Sequence, residues 1–212
     1  MIRREGALLL DLDGVLFDSE PLHQRAWENC VADLGACLEK GWYEGQHGRS
    51  LEEVAGALTH ALPGLKVTEL KARKRAAYLR LANGIQPFPG VVEALLEASI
   101  RAAVVSSSPR EEVRSLLRGT LLERLLDVVI SGDDVAAPKP KPDGYLEAMR
   151  RLALSPDRCV AIEDSDPGIQ AAIAAGLRVV AVTRTGRPPQ RDILSCRTSA
   201  EAIGHAVAIL AS

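Results

Sequence analysis

The chain has 212 residues, enough for one domain with a small insertion. Hydrophobic residues make up 47% and charged residues 25%, as in an ordinary globular protein, which excludes a disordered chain. Lys and Arg number 26 against 28 Asp and Glu, so the sequence lacks the basic excess of a nucleic-acid-binding protein. No apolar run approaches the roughly 18 residues that span a bilayer. The stretch before Asp11 is also too short for an export signal.

The cysteines and aromatic residues favour a cytoplasmic enzyme. The four cysteines show no C-x-x-C pair and no metal-site spacing, so we expect free thiols in a reducing compartment; they are Cys30, Cys37, Cys159 and Cys196. Aromatic residues make up only 3%, which disfavours a surface for stacking nucleic-acid bases. We therefore expect a small-molecule substrate, no nucleic-acid or membrane partner, and a monomer.

Five short aliphatic runs have the length and near-continuous hydrophobicity of strands buried on both faces. They are Ala7–Leu12, Ala102–Ser106, Val128–Ser131, Cys159–Ile162 and Arg178–Val182. Segments with helical periodicity separate them. This alternation predicts an α/β fold with a doubly wound parallel sheet.

Three of the helices between these strands have recognisable sequence signals. Ser108 is the predicted N-cap of a helix that runs through Leu117, and Asp166-Pro167 begins a second helix. A third helix follows Lys141-Pro142-Asp143, and its predicted buried face comprises Tyr145, Leu146, Met149 and Leu152.

One connection is far longer than the usual βα loop of about 2–6 residues. Residues 18–87 carry three amphipathic helical patterns of their own, flanked by segments rich in Pro and Gly. We interpret this stretch as an all-helical domain inserted into a core formed by residues 1–17 and 88–212.

Polar side chains follow the ends of the predicted strands. The first strand runs into Asp11, Ser106 ends the second, Lys139 lies in the loop after the third, and Glu163-Asp164 end the fourth. Ligands of parallel α/β sheets bind beyond the carboxyl ends of the strands. The sequence therefore predicts a site at this edge of the sheet.

The acidic residues of this set suggest a metal ion. Asp11 and Asp13 are two residues apart on an extended segment and can address one ligand, and Asp164 supplies a third carboxylate. Oxygen donors with no His or Cys nearby suit Mg²⁺ better than Zn²⁺. An Asp-x-Asp pair by itself also occurs in surface turns and in nucleotide-sugar transferases, but the second acidic pair favours metal binding.

The remaining groups suit a phosphoryl group. Ser106 precedes a helix N-terminus, whose free N–H groups attract anions. Lys139 is held in a proline-rich segment and can bind phosphoryl oxygens, although Lys139 and Lys141 by themselves could be solvated loop charges. Together with Mg²⁺ these groups predict phosphoryl transfer.

These segments resemble the four motifs of the haloacid dehalogenase-like (HAD) hydrolase superfamily. The matching segments are Asp11–Glu20, the strand ending at Ser106, Lys139 in its KPxPD segment, and Ile162–Gly168. The helical insertion resembles the small cap of the subfamily that contains β-phosphoglucomutase and sugar-phosphate phosphatases. The resemblance implies a Rossmann-like core with a helical cap.

The resemblance also implies roles for individual residues. Asp11 would be the nucleophile that forms an aspartyl-phosphate, and Asp13 the general acid and base. Mg²⁺ would be held by the Asp11 carboxylate, the Asp13 main-chain carbonyl and Asp164, with Glu163 as a direct or outer partner. Dehalogenases use no metal and lack the second Asp, so this branch of the superfamily is disfavoured.

Ser106 and Lys139 would bind the transferring group, with Ser107 and Gly14 beside them as substrate contacts. The cap would supply the specificity. Its candidate substrate-binding residues are His23, Arg49 and Lys74; each could also have no such role, and most of the segment around Lys74 would be a solvated helix face. Trp27 is expected to pack in the interior of the cap.

Three functions remain open. The first is a Mg²⁺-dependent phosphatase for a small phosphorylated metabolite, with a sugar phosphate as the expected substrate. The second is a β-phosphoglucomutase-like phosphomutase, disfavoured by Leu51, which stands where the mutase has a phosphate-binding Arg, and by the segment that follows Ser106. The third is a non-catalytic binding protein, disfavoured because no motif residue is missing.

Overall fold

The computed structural model describes residues 4–46, 49, 51–62, 64–184 and 193–212. Within these ranges, six parallel strands form one sheet in the order β3-β2-β1-β4-β5-β6. They are Arg4–Leu10 (β1), Ile100–Val105 (β2), Val128–Ile130 (β3), Cys159–Glu163 (β4), Arg178–Val182 (β5) and Ser195–Cys196 (β6). The predicted parallel α/β fold and its five strands are confirmed. The sequence did not reveal β6, because two residues are too few to show a periodic pattern.

Helices cover both faces of the sheet. Those in the described ranges are α1 (Glu20–Ala32), α2 (Leu51–Ala61), α3 (Val67–Leu81), α4 (Val91–Ala98), α5 (Arg110–Leu117), α6 (Leu122–Leu125), α7 (Asp143–Leu152), α8 (Asp166–Ala174) and α9 (Ser199–Ala211). On β1, Leu8 and Leu10 belong to an apolar cluster with α4, α5 and α9, whereas Ala7 and Leu9 belong to a second cluster with α7 and α8. Side chains alternate along a strand, so a sheet covered on both faces requires the continuous hydrophobicity seen in the sequence.

The helices α1, α2 and α3 follow β1 and have an apolar cluster of their own. Its buried members are Trp27, Cys30, Val31, Val54, Ala55, Leu58 and Leu70. Trp27 is only 2% exposed, in agreement with the predicted packing role. The segments that flank these helices lie side by side, since the N–H of Phe88 donates to the carbonyl oxygen of Leu16 at 2.8 Å. The domain limits at residues 18 and 87 stay a prediction.

Four local predictions are wrong. β1 ends at Leu10 rather than at residue 12. The N-cap of α5 is Pro109, without a side-chain cap, because the hydroxyl of Ser108 donates to Asp13 instead, at 2.8 Å. Leu146 on α7 is 48% exposed, outside the predicted buried face. Lys74, expected in a mostly solvated segment, is buried.

The cysteines agree with a further expectation. All four cysteines are free thiols. No helix within the described ranges combines the length and the apolar character that crossing a bilayer requires.

Candidate active site

The carboxyl ends of β1, β2 and β4 carry the predicted polar residues to one edge of the sheet. Asp11 follows β1 and donates its N–H to the carbonyl oxygen of Ile162 in β4. Ser106 follows β2, and Glu163 is the last residue of β4. Parallel pairing in register places these ends side by side.

Lys139 lies at the centre of this edge. Its ammonium group donates to Oδ1 of Asp11, to the carbonyl oxygen of Val105 at 2.8 Å and to Oε1 of Glu163 at 2.5 Å. Burial opposes its charge, but the two carboxylates outweigh this effect and raise the pKa of Lys139. Lys139 is therefore a fixed cation beside Asp11, not a solvated loop charge.

Three carboxylates converge beside Lys139. Oxygen atoms of Asp11, Glu163 and Asp164 lie within 4.8 Å of one another. Desolvation raises the pKa of Asp11 despite the opposing effect of Lys139, and the charges of Glu163 and Asp164 raise it further. Desolvation and repulsion from Glu163 likewise raise the pKa of Asp164. A divalent cation would relieve this repulsion, and the all-oxygen donor set fits Mg²⁺.

Glu163 shares Lys139 with Asp11 and has two further protein partners. Its Oε1 accepts hydrogen bonds from Lys139 and, at 2.6 Å, from the hydroxyl of Tyr145, and its Oε2 accepts one from Ser165 at 3.3 Å. The side chain is completely buried. A carboxylate already held in this way suits an outer position around a cation, while Asp11 and Asp164 suit direct contact.

Asp13 is surrounded by hydrogen-bond donors. Its Oδ1 accepts from the hydroxyl of Ser19 and lies 3.3 Å from Nε2 of His23. Its Oδ2 accepts from Ser108 at 2.8 Å and from Ser106 at 3.4 Å. Burial opposes ionisation of Asp13, but the hydrogen bonds from His23 and from the hydroxyls of Ser19 and Ser108 hold its pKa well below the usual range. Asp13 is therefore an oriented, ionised carboxylate.

A cavity of about 750 Å³ opens over these groups. Asp11, Asp13, Lys139 and Asp164 lie on the sheet side, and His23 and Lys74 on the side of the inserted helices. Gly14 and Ser107 also line it. The volume suits a small organic ligand.

The predicted residues of the insertion reach this cavity in different ways. His23 contacts Asp13, whereas Lys74 is buried between His23 and Glu112 and donates to both. Arg49 lines the cavity, is exposed, and donates from Nη1 to Oε1 of Gln46 at 3.1 Å. The neighbours of Arg49 at positions 47, 48 and 50 lie outside the described residues.

Sequence reasoning missed four polar residues of the site. Ser19 and Ser108 bind Asp13, Tyr145 binds Glu163, and Glu112 binds Lys74. One signal was available for Glu112, because in α5 it precedes Leu116 by four residues and so lies on the apolar face. No comparable signal marks the two serines.

Comparison with known proteins gives a family match and similar relatives over most of the chain. The family model for haloacid dehalogenase-like hydrolases matches residues 6–176. The chain is 35% identical over 191 residues to protein CbbY of Cereibacter sphaeroides, covering 82% of each chain. It is 30% identical over 185 residues to fructose-1-phosphate phosphatase YqaB of Escherichia coli K12, covering 86% of this chain and 98% of that protein.

A solved structure has the same fold. A variant of CbbY from Rhodobacter sphaeroides, crystallised in complex with xylulose-(1,5)bisphosphate, superposes with a TM-score of 0.80 at 30% identity. The superposition covers 93% of this chain and 96% of that chain. The resemblance therefore includes both the sheet and the inserted helices.

Proposed function

The chain belongs to the haloacid dehalogenase-like hydrolases and is a hydrolase of phosphoric monoesters, and we propose that it hydrolyses a small sugar phosphate with Mg²⁺ through an aspartyl-phosphate. The observation that carries the proposal is the contact of Lys139 with Asp11 inside a group of three carboxylates, at the floor of a cavity. The similarity to a fructose-1-phosphate phosphatase and to a protein crystallised with a sugar bisphosphate supports the substrate class.

The carboxylate group fits a magnesium ion. Asp11 and Asp164 would hold it together with the main-chain carbonyl of Asp13, and Glu163 would stay in its buried hydrogen bonds. When bound, Mg²⁺ supplies charge that offsets the carboxylates and the phosphoryl oxygens.

Asp11 acts as the nucleophile in the first step. One of its carboxylate oxygens forms a bond to phosphorus, and the bond between phosphorus and the ester oxygen breaks. The ammonium group of Lys139 orients Asp11 and balances the charge of the transferring group. Ser106 and Ser107, which follow β2, would donate to phosphoryl oxygens.

Asp13 moves the protons. It gives a proton to the leaving alkoxide in the first step, then takes one from the water that attacks the aspartyl-phosphate. The second step breaks the bond from Asp11 to phosphorus and releases inorganic phosphate. The lowered pKa of Asp13 favours the ionised form, which takes a proton from water, and the negative charge of an arriving phosphoryl group favours protonation of Asp13 before the first step.

A phosphate-release assay across a panel of metabolite phosphoesters tests this function. We expect release that requires Mg²⁺, is greatest with sugar phosphates, and is absent in Asp11→Asn. Release that is unaffected by chelation of Mg²⁺ would contradict the role of the metal. No release from any ester would contradict the phosphatase activity.

The panel includes β-glucose 1-phosphate, with glucose 1,6-bisphosphate added as primer in parallel samples. Formation of glucose 6-phosphate without free phosphate would identify a phosphomutase instead. The two activities share Asp11 and differ in whether water or a sugar hydroxyl reaches the aspartyl-phosphate.

A further inference from the structure

A buried pair of opposite charges joins the inserted helices to the core. The ammonium group of Lys74, on α3, lies 3.0 Å and 2.9 Å from the two carboxylate oxygens of Glu112, on α5. The side chains of Lys74 and Glu112 are 3% and 0% exposed. Burying two charges away from water is costly, so a contact of this kind calls for an explanation beyond general stability.

Lys74 also bonds to the ring of His23. Its Nζ lies 2.8 Å from Nδ1 of His23. An ammonium group has donors only, so Nδ1 accepts this hydrogen bond when the His23 ring is neutral. In the neutral ring the proton is then on Nε2, which faces Oδ1 of Asp13 at 3.3 Å.

The plane of the His23 ring is fixed as well. The ring stacks on Tyr78 with a centroid distance of 4.4 Å and an interplanar angle of 28°. The ammonium group of Lys74 lies 4.5 Å from the centroid of the same Tyr78 ring. Stacking restrains the imidazole from turning away and keeps Nε2 directed at Asp13.

We propose that Glu112 is a positioning residue for the reaction: through Lys74 it fixes the tautomer of His23, and through His23 it orients Asp13. The proposal rests on the proposed role of Asp13 as general acid and base. Glu112 belongs to the core helix α5, while Lys74 and His23 belong to the inserted helices α3 and α1. The set of contacts is therefore complete only while the inserted helices rest on α5, so the orientation of Asp13 depends on that contact.

This arrangement also changes the expectation for Lys74. Its ammonium group is almost completely buried and is already engaged by Glu112 and His23, beside the face of Tyr78. Lys74 therefore acts on the substrate through His23 and Asp13, and not as a direct ligand of the phosphoryl group.

Glu112→Gln tests the proposal because it keeps the shape of the side chain and removes its charge. We measure kcat/KM for the best sugar phosphate and for p-nitrophenyl phosphate, whose leaving group needs little protonation. A misplaced general acid should lower kcat/KM about 10²-fold for the sugar phosphate. The value for p-nitrophenyl phosphate should stay within about threefold of wild type, because only transition-state proton transfer is lost.

Glu111→Gln is the matched control. Glu111 is the preceding residue of α5, its side chain is 62% exposed, and it also faces α3, at 3.6 Å from Arg75. We expect wild-type kcat/KM for both substrates in this variant. Equal losses for the two substrates in Glu112→Gln, or no loss, would overturn the proposal.

A double variant separates catalysis from folding. Lys74→Met combined with Glu112→Leu removes both buried charges together and leaves neither one uncompensated, so it should fold. It should show the same selective loss for the sugar phosphate. Wild-type kcat/KM for the sugar phosphate in this variant would overturn the proposal.

NMR of ¹⁵N-labelled histidine reads the tautomer directly. In the wild type we expect His23 to carry its proton on Nε2. The signals of His23 are assigned by comparison with a His23→Asn variant. In Glu112→Gln we expect this single tautomer to be lost. An unchanged tautomer would overturn the proposal. This measurement needs no turnover. It therefore distinguishes a failure of the proposed positioning by Glu112 from a failure of the proposed phosphatase activity, which would show as an inactive wild type.

Discussion

A Cβ atom on residue 14 would lie 1.8 Å from Oδ2 of Asp164, because the α-carbon of Gly14 packs directly against that carboxylate. Gly14 also has a positive φ of 79°, which side chains disfavour. The glycine after Asp13 thus lets the end of β4 approach the end of β1. This contact brings Asp164 to the same place as Asp11.

Gly14→Ala should therefore displace Asp164 from the proposed metal site. We expect weaker Mg²⁺ binding, so that half-maximal activity needs an Mg²⁺ concentration at least ~10-fold higher. An effect of this size is typical when the groups that orient a metal ligand are disturbed. Titration of activity with Mg²⁺ measures this shift. Gly35→Ala is the control, since Gly35 has a φ of 76° but nothing within 4 Å of the added atom. If both variants changed the Mg²⁺ requirement equally, backbone strain and not the contact with Asp164 would be the cause.

Asp11→Asn should abolish turnover, because an amide oxygen is a poor nucleophile of similar size. Acid-quenched wild-type enzyme should carry a phosphoryl group on Asp11 during turnover, and the variant should carry none, as measured by intact mass. Asp18→Asn, which removes an exposed carboxylate at the same cavity, should retain the adduct. Wild-type activity in Asp11→Asn would rule out the covalent mechanism.

Lys139→Ala should lower kcat/KM by about 10²–10³-fold, as the loss of one preorganised electrostatic donor does. The same change leaves the buried carboxylates Asp11 and Glu163 without their shared cation, so a fall in thermal stability should accompany it. Lys141→Ala is the comparison, because Lys141 is exposed in the same proline-rich segment. Equal values of kcat/KM in the two variants would contradict a specific role of Lys139 in the active site.

Asp134, outside the active site, should give the protein a pH-dependent stability. Partial burial opposes its ionisation, but hydrogen bonds from Ser131 and Arg151 and the charge of Arg110 lower the pKa of Asp134 to about 2. The unfolded chain, with a pKa of about 3.9, binds the proton more readily, so this contribution is complete above pH ~4 and disappears as the pH falls through the folded pKa.

Asp134→Asn should thus lower the free energy of unfolding by about 1 kcal/mol at pH 7, since solvent screens the partners. The difference from wild type should shrink towards pH 2. Urea unfolding at several pH values measures it, with Glu97→Gln as a control at an exposed position of α4. A difference that stays constant between pH 7 and pH 2 would show that the charge of Asp134 is not responsible.

The strand-end residues could be predicted because their positions depend on local sequence. Asp11 directly follows a run of aliphatic residues, and Glu163 ends another, so the pattern of hydrophobicity alone places both at the end of a strand. Parallel pairing then brings strand ends together whatever the details of packing. The same reasoning found the helices of the insertion, whose apolar residues recur at helical spacing.

The partners of Asp13 could not be predicted in this way. Ser108 has the local sequence of an N-cap, but in the fold its hydroxyl meets Asp13, which offers a charged acceptor. Ser19 and His23 reach Asp13 only because α1 starts beside the end of β1. A local signal states what a residue can bond, and the tertiary structure decides which partner is present.

The sequence by itself determined the parallel α/β core, the helical insertion and the set of residues at the strand ends, because strand burial and helix periodicity are recorded in neighbouring residues. Only the tertiary structure decided that Lys74 pairs with Glu112, that their pairing fixes His23, and that a glycine at position 14 lets Asp164 reach Asp11. These contacts join residues far apart in the chain. Their energy depends on burial and distance, which no stretch of sequence contains.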